Sequence, residues 1–344
     1  MLADPPFATE DPAPLLESAL ARVRAPDVVL AVSRDGRRTY ASGGTDPVPA
    51  VPREELGFAL GSLSKTFTVL LLADLARDGV LGLDEPVAAH LPLPPGPARL
   101  ITPRHLATHT SGLPRVPRDL VAGAVLHPYA NGYAGYTRGR LLSALARTRV
   151  RHTPGTRWHY SNFGLALLGP LLETTAGAAF ADLLADRVLR PLALTATTLG
   201  ADTLPPSRVA AVGRRGDGRT PLPPTHMAAF AAAGGLLSTP GDLLTYAEAL
   251  LRPTGALRDV QVPQLRRGSA HRRETHTLTW YQHEAAGGPV LFHAGATFGQ
   301  QCFLGFHPAT RTAVAAFATR HDRTSAVVGA AYRLLQDLAG RPPA

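Results

Sequence analysis

Ser62 and Lys65 are the residues whose types and spacing most directly predict chemistry in this sequence. Of the 35 lysine and arginine residues in the chain, Lys65 is the single lysine. Arginine stays protonated under ordinary conditions, whereas a buried lysine can lose its proton and act as a base. If Ser62 opens a helix, side chains three residues apart share one face, and the amine reaches the hydroxyl. The pair therefore predicts a serine nucleophile that is activated by a neighbouring amine at a helix start.

A second explanation of Lys65 needs no chemistry. The chain is rich in Ala, Gly and Pro, as expected from a GC-rich coding sequence, and such a bias also favours Arg codons. One lysine can escape that bias, and S-x-x-K is a short pattern that recurs by chance. Ser64 does not compete as the nucleophile, because the third residue after it is Phe67.

The surrounding elements indicate how the pair is positioned. A helix pattern runs from Lys65 to about Arg77, and Asp35-Gly36 joins two strand-like runs as a hairpin turn. Thr239 followed by Pro240 predicts the start of another helix. Near the C-terminus four runs read as consecutive antiparallel strands before a closing helix: HTLTWYQHE, GPVLFHAG, GQQCFLGFHP and RTAVAAFATR.

This order predicts an α/β (α+β) fold, with an antiparallel sheet built from both chain ends, flanked by helices, and a mostly helical insert. We expect residues 1–12 to form a flexible tail and residues 13–344 a single catalytic domain. Within that domain the α/β part covers about 13–80 and 231–344, and the helical part about 81–230.

Several motifs in this order resemble the serine β-lactamase and penicillin-binding-protein superfamily, specifically its class C β-lactamase-like branch of esterases, D-amino-acid peptidases and transesterases. The resemblance covers about residues 25 to 335. It is carried by FALGSLSKTFT, LARDGVLGLDEPVAAHLP, ITPRHLATHTSGLP, PGTRWHYSNFGLALLG, AAGGLLSTPGDL and FHAGATFGQ. It implies a β-lactamase/transpeptidase-like fold and an acyl-enzyme formed on Ser62, with no metal or organic cofactor.

The second family motif, Tyr-x-Asn, occurs twice, at Tyr129-Ala130-Asn131 and at Tyr160-Ser161-Asn162. The second copy opens an apolar helix pattern, which is the context that the family uses, so we assign the motif there. A cationic Lys65 beside Tyr160 would favour its phenolate form, which can take the serine proton and return it to the leaving group. Asn162 is expected to donate to the substrate and to accept from Lys65. Tyr160 could also be a half-buried packing aromatic.

The third motif, Lys-Thr-Gly in β-lactamases, corresponds to His293-Ala294-Gly295, so the sequence does not support a true β-lactamase. The resemblance implies that His293 bonds the substrate or Tyr160, although it could also be a structural histidine at a strand end. Gly295 is expected to let a substrate lie against the strand. The backbone N–H groups of Ala296 and Ser62 are the implied oxyanion hole.

Composition excludes several other classes. The net charge of +9 comes from scattered arginines without a basic stripe, which disfavours nucleic-acid binding. No run of eighteen apolar residues predicts a membrane span. His105 and His109 are spaced i,i+4 but lack the glutamate of a zinc hydrolase, so we expect packing roles for them. The single cysteine, Cys302, and an acidic, Pro-rich start without a secretion pattern lead us to expect a cytoplasmic protein.

The sequence thus predicts a serine hydrolase acting on a small-molecule ester or amide. Two alternatives stay open at this point. A cytosolic acyltransferase would pass the acyl group to an alcohol or amine, and a non-catalytic protein would use the same fold for binding. The oligomeric state is not predicted.

Overall fold

The computed structural model describes residues 11–47, 49–121, 130–150, 152–268, 274–321 and 326–340. An eight-stranded antiparallel sheet joins the two ends of the chain in the order β2-β1-β11-β10-β9-β8-β7-β6. Its strands are β1 (Val28–Arg34), β2 (Arg37–Gly43), β6 (Leu265–Arg267), β7 (Glu274–His276), β8 (Tyr281–Ala285), β9 (Gly288–Ala296), β10 (Gln301–His307) and β11 (Thr312–Ala318). A second sheet has the order β3-β5-β4, with β3 (Phe58–Ala59), β4 (Thr198–Leu199) and β5 (Leu236–Ser238).

Helices cover the large sheet and fill the middle of the chain. Numbered in chain order, the described α-helices are α1 (Ala13–Leu20), α2 (Ser64–Arg77), α3 (Pro103–Ala107), α4 (Arg138–Arg147), α5 (Asn162–Ala176), α6 (Phe180–Leu184), α7 (Ala231–Gly234), α8 (Pro240–Leu251), α9 (Gly255–Asp259) and α10 (Ala326–Ala339). The predicted cap of α8 is present, because the Thr239 side chain accepts a hydrogen bond from the backbone N–H of Asp242.

Strand β1 shows why the sheet is covered on both faces. Its sequence, VVLAVSR, is apolar at nearly every position and buried along almost its whole length. Val28, Leu30 and Val32 face the core that contains α1 and α10, whereas Val29 and Ala31 face the larger core that contains α2 and α8. A strand buried on both faces needs a continuous apolar run of this kind.

The hairpin between β1 and β2 turns at Asp35 and Gly36, which both have positive φ (53° and 83°). This is the turn that the Asp-Gly dipeptide predicts. The fold class is confirmed: strands from both chain ends form one antiparallel sheet, and helices lie between them. The predicted division into a tail and one catalytic domain stays a prediction, and residues 1–10 lie outside the described residues.

No single helix in the described ranges is long and apolar enough to cross a bilayer, and the one helix pair that passes jointly, Asn162–Ala176 with Phe180–Leu189, is bent by 89°.

Candidate active site

Ser62 and Lys65 meet at the entrance to α2. Ser62 lies in a 3₁₀ turn, Gly61–Leu63, that continues directly into the α-helix. The Nζ atom of Lys65 lies 3.0 Å from the Oγ atom of Ser62. Residues three apart on a helical turn share a face, so the local geometry alone brings the amine to the hydroxyl.

The Lys65 amine is sealed away from water. Its side chain is completely buried, and Nζ also donates to the backbone carbonyl of Ala233 at 2.6 Å. Burial lowers the pKa of Lys65 below its ordinary value, the neighbouring Tyr160 opposes that lowering, and the positive charge of Arg115 adds to it. Desolvation favours the neutral amine, which is the form that can accept a proton.

Two further polar side chains of α2 hold the segment that supplies this carbonyl. Ser64 Oγ accepts a hydrogen bond from Leu236 N (3.0 Å), and Thr68 Oγ1 donates to Ala232 O (2.7 Å). Both side chains are buried. They fix residues 232–236 against α2 and so fix the acceptor of the lysine.

Tyr160 completes a three-residue cluster on the nucleophile. Its Oη lies 2.7 Å from Ser62 Oγ, and Lys65 Nζ lies 5.2 Å from the centroid of its ring. The ring contacts the His109 ring, with the centroids 4.4 Å apart. A hydroxyl with two such groups within hydrogen-bonding distance has the arrangement of an activated serine.

His109 contacts the segment that carries Tyr160 and stabilises its position. The residue has a φ of 59°, and its Nδ1 accepts a hydrogen bond from Ser161 N at 3.2 Å. Burial lowers the pKa of His109 well below its ordinary value, so it packs as a neutral ring. This is a packing role, as the sequence predicts, but the contact with Tyr160 makes it a positioning residue of the site.

The expected contact between Asn162 and Lys65 is wrong. The Oδ1 atom of Asn162 is buried without a hydrogen-bond partner in the described part of the chain. Lys65 instead donates to Ala233 O, which α7 places 2.6 Å from the amine. Asn162 bonds with Tyr133, whose pKa is raised by burial and lowered in part by this hydrogen bond. That Asn162 donates to a substrate stays a prediction.

His293 is a neutral residue in this site. Burial lowers its pKa to about 3. Its Nδ1 lies 2.8 Å from the carbonyl oxygen of Ala294, and only an N–H can donate to a carbonyl. Nε2 is therefore the unprotonated nitrogen, and it is buried without a partner among the described residues. No described contact joins His293 to Tyr160, and the residue does not supply the fixed charge of a lysine at this position.

The missing side chain of Gly295 makes room for the backbone of the nucleophile turn, and the expected place of a substrate along this strand stays a prediction. A Cβ atom on Gly295 would lie 1.8 Å from Leu60 O and 2.9 Å from Leu63 N. One on Gly61, whose φ is 47°, would lie 2.9 Å from Ala296 N. The two glycines let β9 touch the backbone of the nucleophile turn. This contact places the backbone of the exposed Ala296 beside Ser62, as an oxyanion hole built from their N–H groups requires.

The other copy of the Tyr-x-Asn motif lies apart from this cluster where it is described. Tyr129 itself lies outside the described residues. The amide of Asn131 is used within its loop: Nδ2 donates to His226 O (2.6 Å), and Oδ1 accepts from Tyr133 N (3.1 Å).

Sequence reasoning missed two groups at the site. The Ala233 carbonyl carries no side-chain signal, although the run AAAGG does allow a close backbone approach. The exposed Arg115 lies with its guanidinium carbon 5.2 Å from the centroid of the Tyr160 ring, and its place directly after the HTSGLP motif was the available signal. Within the described ranges, no cluster of three or more His, Cys, Asp or Glu side chains could hold a metal ion.

The chain was compared with known proteins. The AmpH D-alanyl-D-alanine-carboxypeptidase/endopeptidase of Escherichia coli (strain K12) is 28% identical over 230 residues, covering 65% of this chain and 57% of that protein. A D-aminopeptidase of Cereibacter sphaeroides (strain ATCC 17029 / ATH 2.4.9) is 33% identical over 188 residues, covering 54% of this chain and 35% of that protein. The matched part thus spans about a third to just over half of the length of these relatives.

Solved structures and the family comparison agree with each other. A class C beta lactamase from Rhodobacter sphaeroides superimposes with a TM-score of 0.77 at 25% identity, covering 96% of this chain and 99% of that one. The family model described as Beta-lactamase matches residues 13–338. The chain therefore belongs to the beta-lactamase family, with class C β-lactamases and penicillin-binding-protein-like serine hydrolases as its structural neighbours.

Proposed function

We propose that this protein is a serine hydrolase that transfers the acyl group of a small-molecule ester or amide to Ser62 and then to water. The observation that carries the proposal is the approach of two proton-transfer groups to one hydroxyl: Lys65 Nζ at 3.0 Å and Tyr160 Oη at 2.7 Å from Ser62 Oγ. The relatives named as a D-alanyl-D-alanine-carboxypeptidase/endopeptidase and a D-aminopeptidase support the inclusion of amides among the substrates.

In the first step Ser62 Oγ attacks the substrate carbonyl carbon, and the C–O or C–N bond to the leaving group breaks. The serine proton passes to the cluster of Tyr160 and neutral Lys65, and from there to the leaving group. The buried amine takes part because its lowered pKa makes the neutral form accessible. In the second step water attacks the acyl-enzyme along the same proton route.

The negative charge on the former carbonyl oxygen is stabilised by the backbone N–H groups of Ser62 and Ala296. Each such donor typically contributes about 3–4 kcal/mol to the transition state. The mutual approach of Gly61 and Gly295 supports this assignment, since it holds the turn and the strand together at the required place.

Intact-mass spectrometry after incubation with 4-nitrophenyl acetate tests the proposal. We expect an acetyl adduct that maps to Ser62 and is lost in Ser62→Ala. Ser143→Ala is the matched control, because it removes an exposed hydroxyl on α4 and should still acquire the adduct. Equal turnover by wild type and Ser62→Ala would refute the nucleophile and with it the hydrolase.

Analysis of the products shows whether water or another nucleophile accepts the acyl group. With an amine or alcohol added, a hydrolase releases acetate as its main product. Dominant formation of the acetylated amine or alcohol would show instead that the protein is an acyltransferase.

A further inference from the structure

The loop that carries Arg115 is tied to the second motif of the site. Ser161 Oγ donates to Pro114 O (2.6 Å), and the backbone N–H of Phe163 donates to Arg115 O (3.1 Å). These two bonds hold the Arg115 backbone against the start of α5. The backbone from which the Arg115 side chain extends is therefore fixed near Tyr160.

The Arg115 guanidinium faces the reacting groups. Its central carbon lies 5.2 Å from the centroid of the Tyr160 ring, so the charge flanks the same ring as Lys65. Its positive charge also lowers the pKa values of Lys65, Tyr133 and Tyr281 relative to what burial alone would give. Arg115 thus acts electrostatically on groups all around Ser62.

No counter-charge in the described part of the chain pairs with Arg115. The acid in the same loop, Asp119, is paired with Arg140 at 2.9 Å and accepts from Tyr136 at 2.9 Å. The other arginine near the site, Arg267, lies 3.7 Å above the Trp158 ring and is paired with Glu274 at 2.6 Å.

The two arginines differ in whether a carboxylate of the protein pairs with their charge. Arg267 is paired with a carboxylate of the protein, whereas Arg115 is exposed beside the Tyr160 ring, and no carboxylate among the described residues pairs with its guanidinium. A guanidinium is suited to a carboxylate, because it can form two parallel N–H···O bonds with it. The third-motif position holds the neutral His293, so it does not compete for such a group.

We propose that Arg115 is a specificity-determining residue that binds a carboxylate carried by the substrate, so that the preferred substrates are anionic esters or amides. This inference rests on the proposed acyl-enzyme chemistry at Ser62.

Two matched pairs of probes test it, one for each side of the scissile bond. The first pair is 4-acetoxybenzoate and its methyl ester, which place the charge on the leaving group. The second pair is monophenyl adipate and its methyl ester, which place the charge on the acyl group. The measured quantity is the ratio of kcat/KM for the anionic member to kcat/KM for the neutral member.

We expect the wild type to prefer the anionic member of at least one pair. Arg115→Gln should lower the ratio of kcat/KM for that member to kcat/KM for its neutral partner roughly 10- to 100-fold, as for loss of hydrogen bonds to a charged group. A change that comes from the effect of Arg115 on Lys65 applies to both members and cancels in this ratio. Arg115→Lys should restore part of the preference, since it keeps the charge without the fork. Arg333→Gln removes the same charge on α10, across the sheet from Ser62, and should change neither member.

Three results would overturn the inference. The wild type could hydrolyse both pairs without preference, Arg115→Gln could lower both members of a pair equally, or Arg333→Gln could reproduce the loss. An equal loss in both members would make Arg115 a positioning residue for Tyr160 instead. If no probe leaves an acyl group on Ser62, the proposed function fails, and this inference fails with it.

Discussion

Two helices of equal length, α2 and α10, differ in the kinds of residue that they bury. Each has fourteen residues, and each lies within a hydrophobic core. The buried residues of α10 are all apolar and lie on one face, which packs on β10 and β11. Helix α2 is buried nearly all round, and four of its buried residues are polar: Ser64, Lys65, Thr66 and Thr68.

The buried residues of α10 serve packing alone, whereas α2 also buries a group that we propose takes part in catalysis. Burying an amine costs free energy unless its donors are paired. In α2 the cost is offset by the Ala233 carbonyl and the Ser62 hydroxyl, so the desolvated lysine is held in place. The buried residues of α10 include no polar side chain, so no such cost arises there. Two glycines differ in the same way. Gly295 on β9 leaves room for the backbone of the nucleophile turn, whereas Gly305 on β10 leaves room for the side-chain ends of Leu335 and Phe303.

The largest effect is expected from Lys65→Arg. Arginine keeps the charge but cannot deprotonate, and its larger head does not fit a fully buried slot. We expect kcat/KM for 4-nitrophenyl acetate to fall by roughly 10²–10⁴-fold, the range for loss of general acid–base catalysis. Circular dichroism should show that the variant is folded. A folded variant with wild-type turnover would show that the single lysine has no special role.

Gly295→Ala should be the next most damaging change. The new Cβ would lie 1.8 Å from the Leu60 carbonyl oxygen, so the Ser62 turn and β9 must move apart. A displacement of the reacting groups by about 1 Å can cost about 10²-fold in rate. Steady-state kinetics of the variant measure this loss. Gly139→Ala in α4, where nothing lies within 4 Å of the added Cβ, is the control and should retain full activity.

Gly305→Ala should affect stability alone. The added Cβ meets Leu335 Cδ2 at 2.6 Å and Phe303 Cζ at 2.8 Å, and both are ends of side chains that can turn aside. Overpacking of this kind typically lowers the free energy of unfolding by about 1–3 kcal/mol. Urea denaturation would measure the cost, while kcat/KM should match the wild type. A catalytic loss as large as that of Gly295→Ala would show that the contacts of Gly305 also matter for catalysis, and the distinction between the two glycines would be lost.

Thr68→Val should have the smallest effect on activity among the variants that disturb the site. It removes the hydrogen bond to Ala232 O in a nearly isosteric way and loosens the segment that anchors Lys65. Loss of one buried hydrogen bond costs about 1–3 kcal/mol of unfolding free energy. A several-fold drop in kcat/KM should accompany it. Thr66→Val, which loses only a bond within its own turn to Leu63 O, should destabilise without that drop; equal kinetics of the two variants would count against anchoring by Thr68.

Local features of the fold followed from local sequence signals. The Asp35-Gly36 turn, the Thr239 cap and the spacing of Ser62 and Lys65 each depend on residues within a few positions of one another. Four strand-like runs near the C-terminus predicted the antiparallel strands, although β10 and β11 are buried at every position and show no polar alternation. The family motifs selected Tyr160, which pattern alone could have left as a packing aromatic.

The remaining features depend on approaches between distant segments. The Ala233 carbonyl is 168 residues from Lys65, and no side chain marks it. The contact of Gly295 with the nucleophile turn depends on where the Leu60 backbone lies, which no residue near Gly295 in the sequence indicates. Arg115 looks like one arginine among many until its neighbours and its lack of a described counter-charge are seen.

The central claim is that Lys65 is a desolvated amine with a lowered pKa. Because it is the only lysine, protein labelled with [¹³Cε]lysine gives one lysine signal, and its chemical shift against pH reports this amine directly. Burial predicts a pKa below the ordinary lysine value of 10.5, so the neutral fraction of Lys65 and kcat/KM should increase together as pH rises through that pKa. A titration at or above 10.5, or activity that does not follow it, would contradict the account.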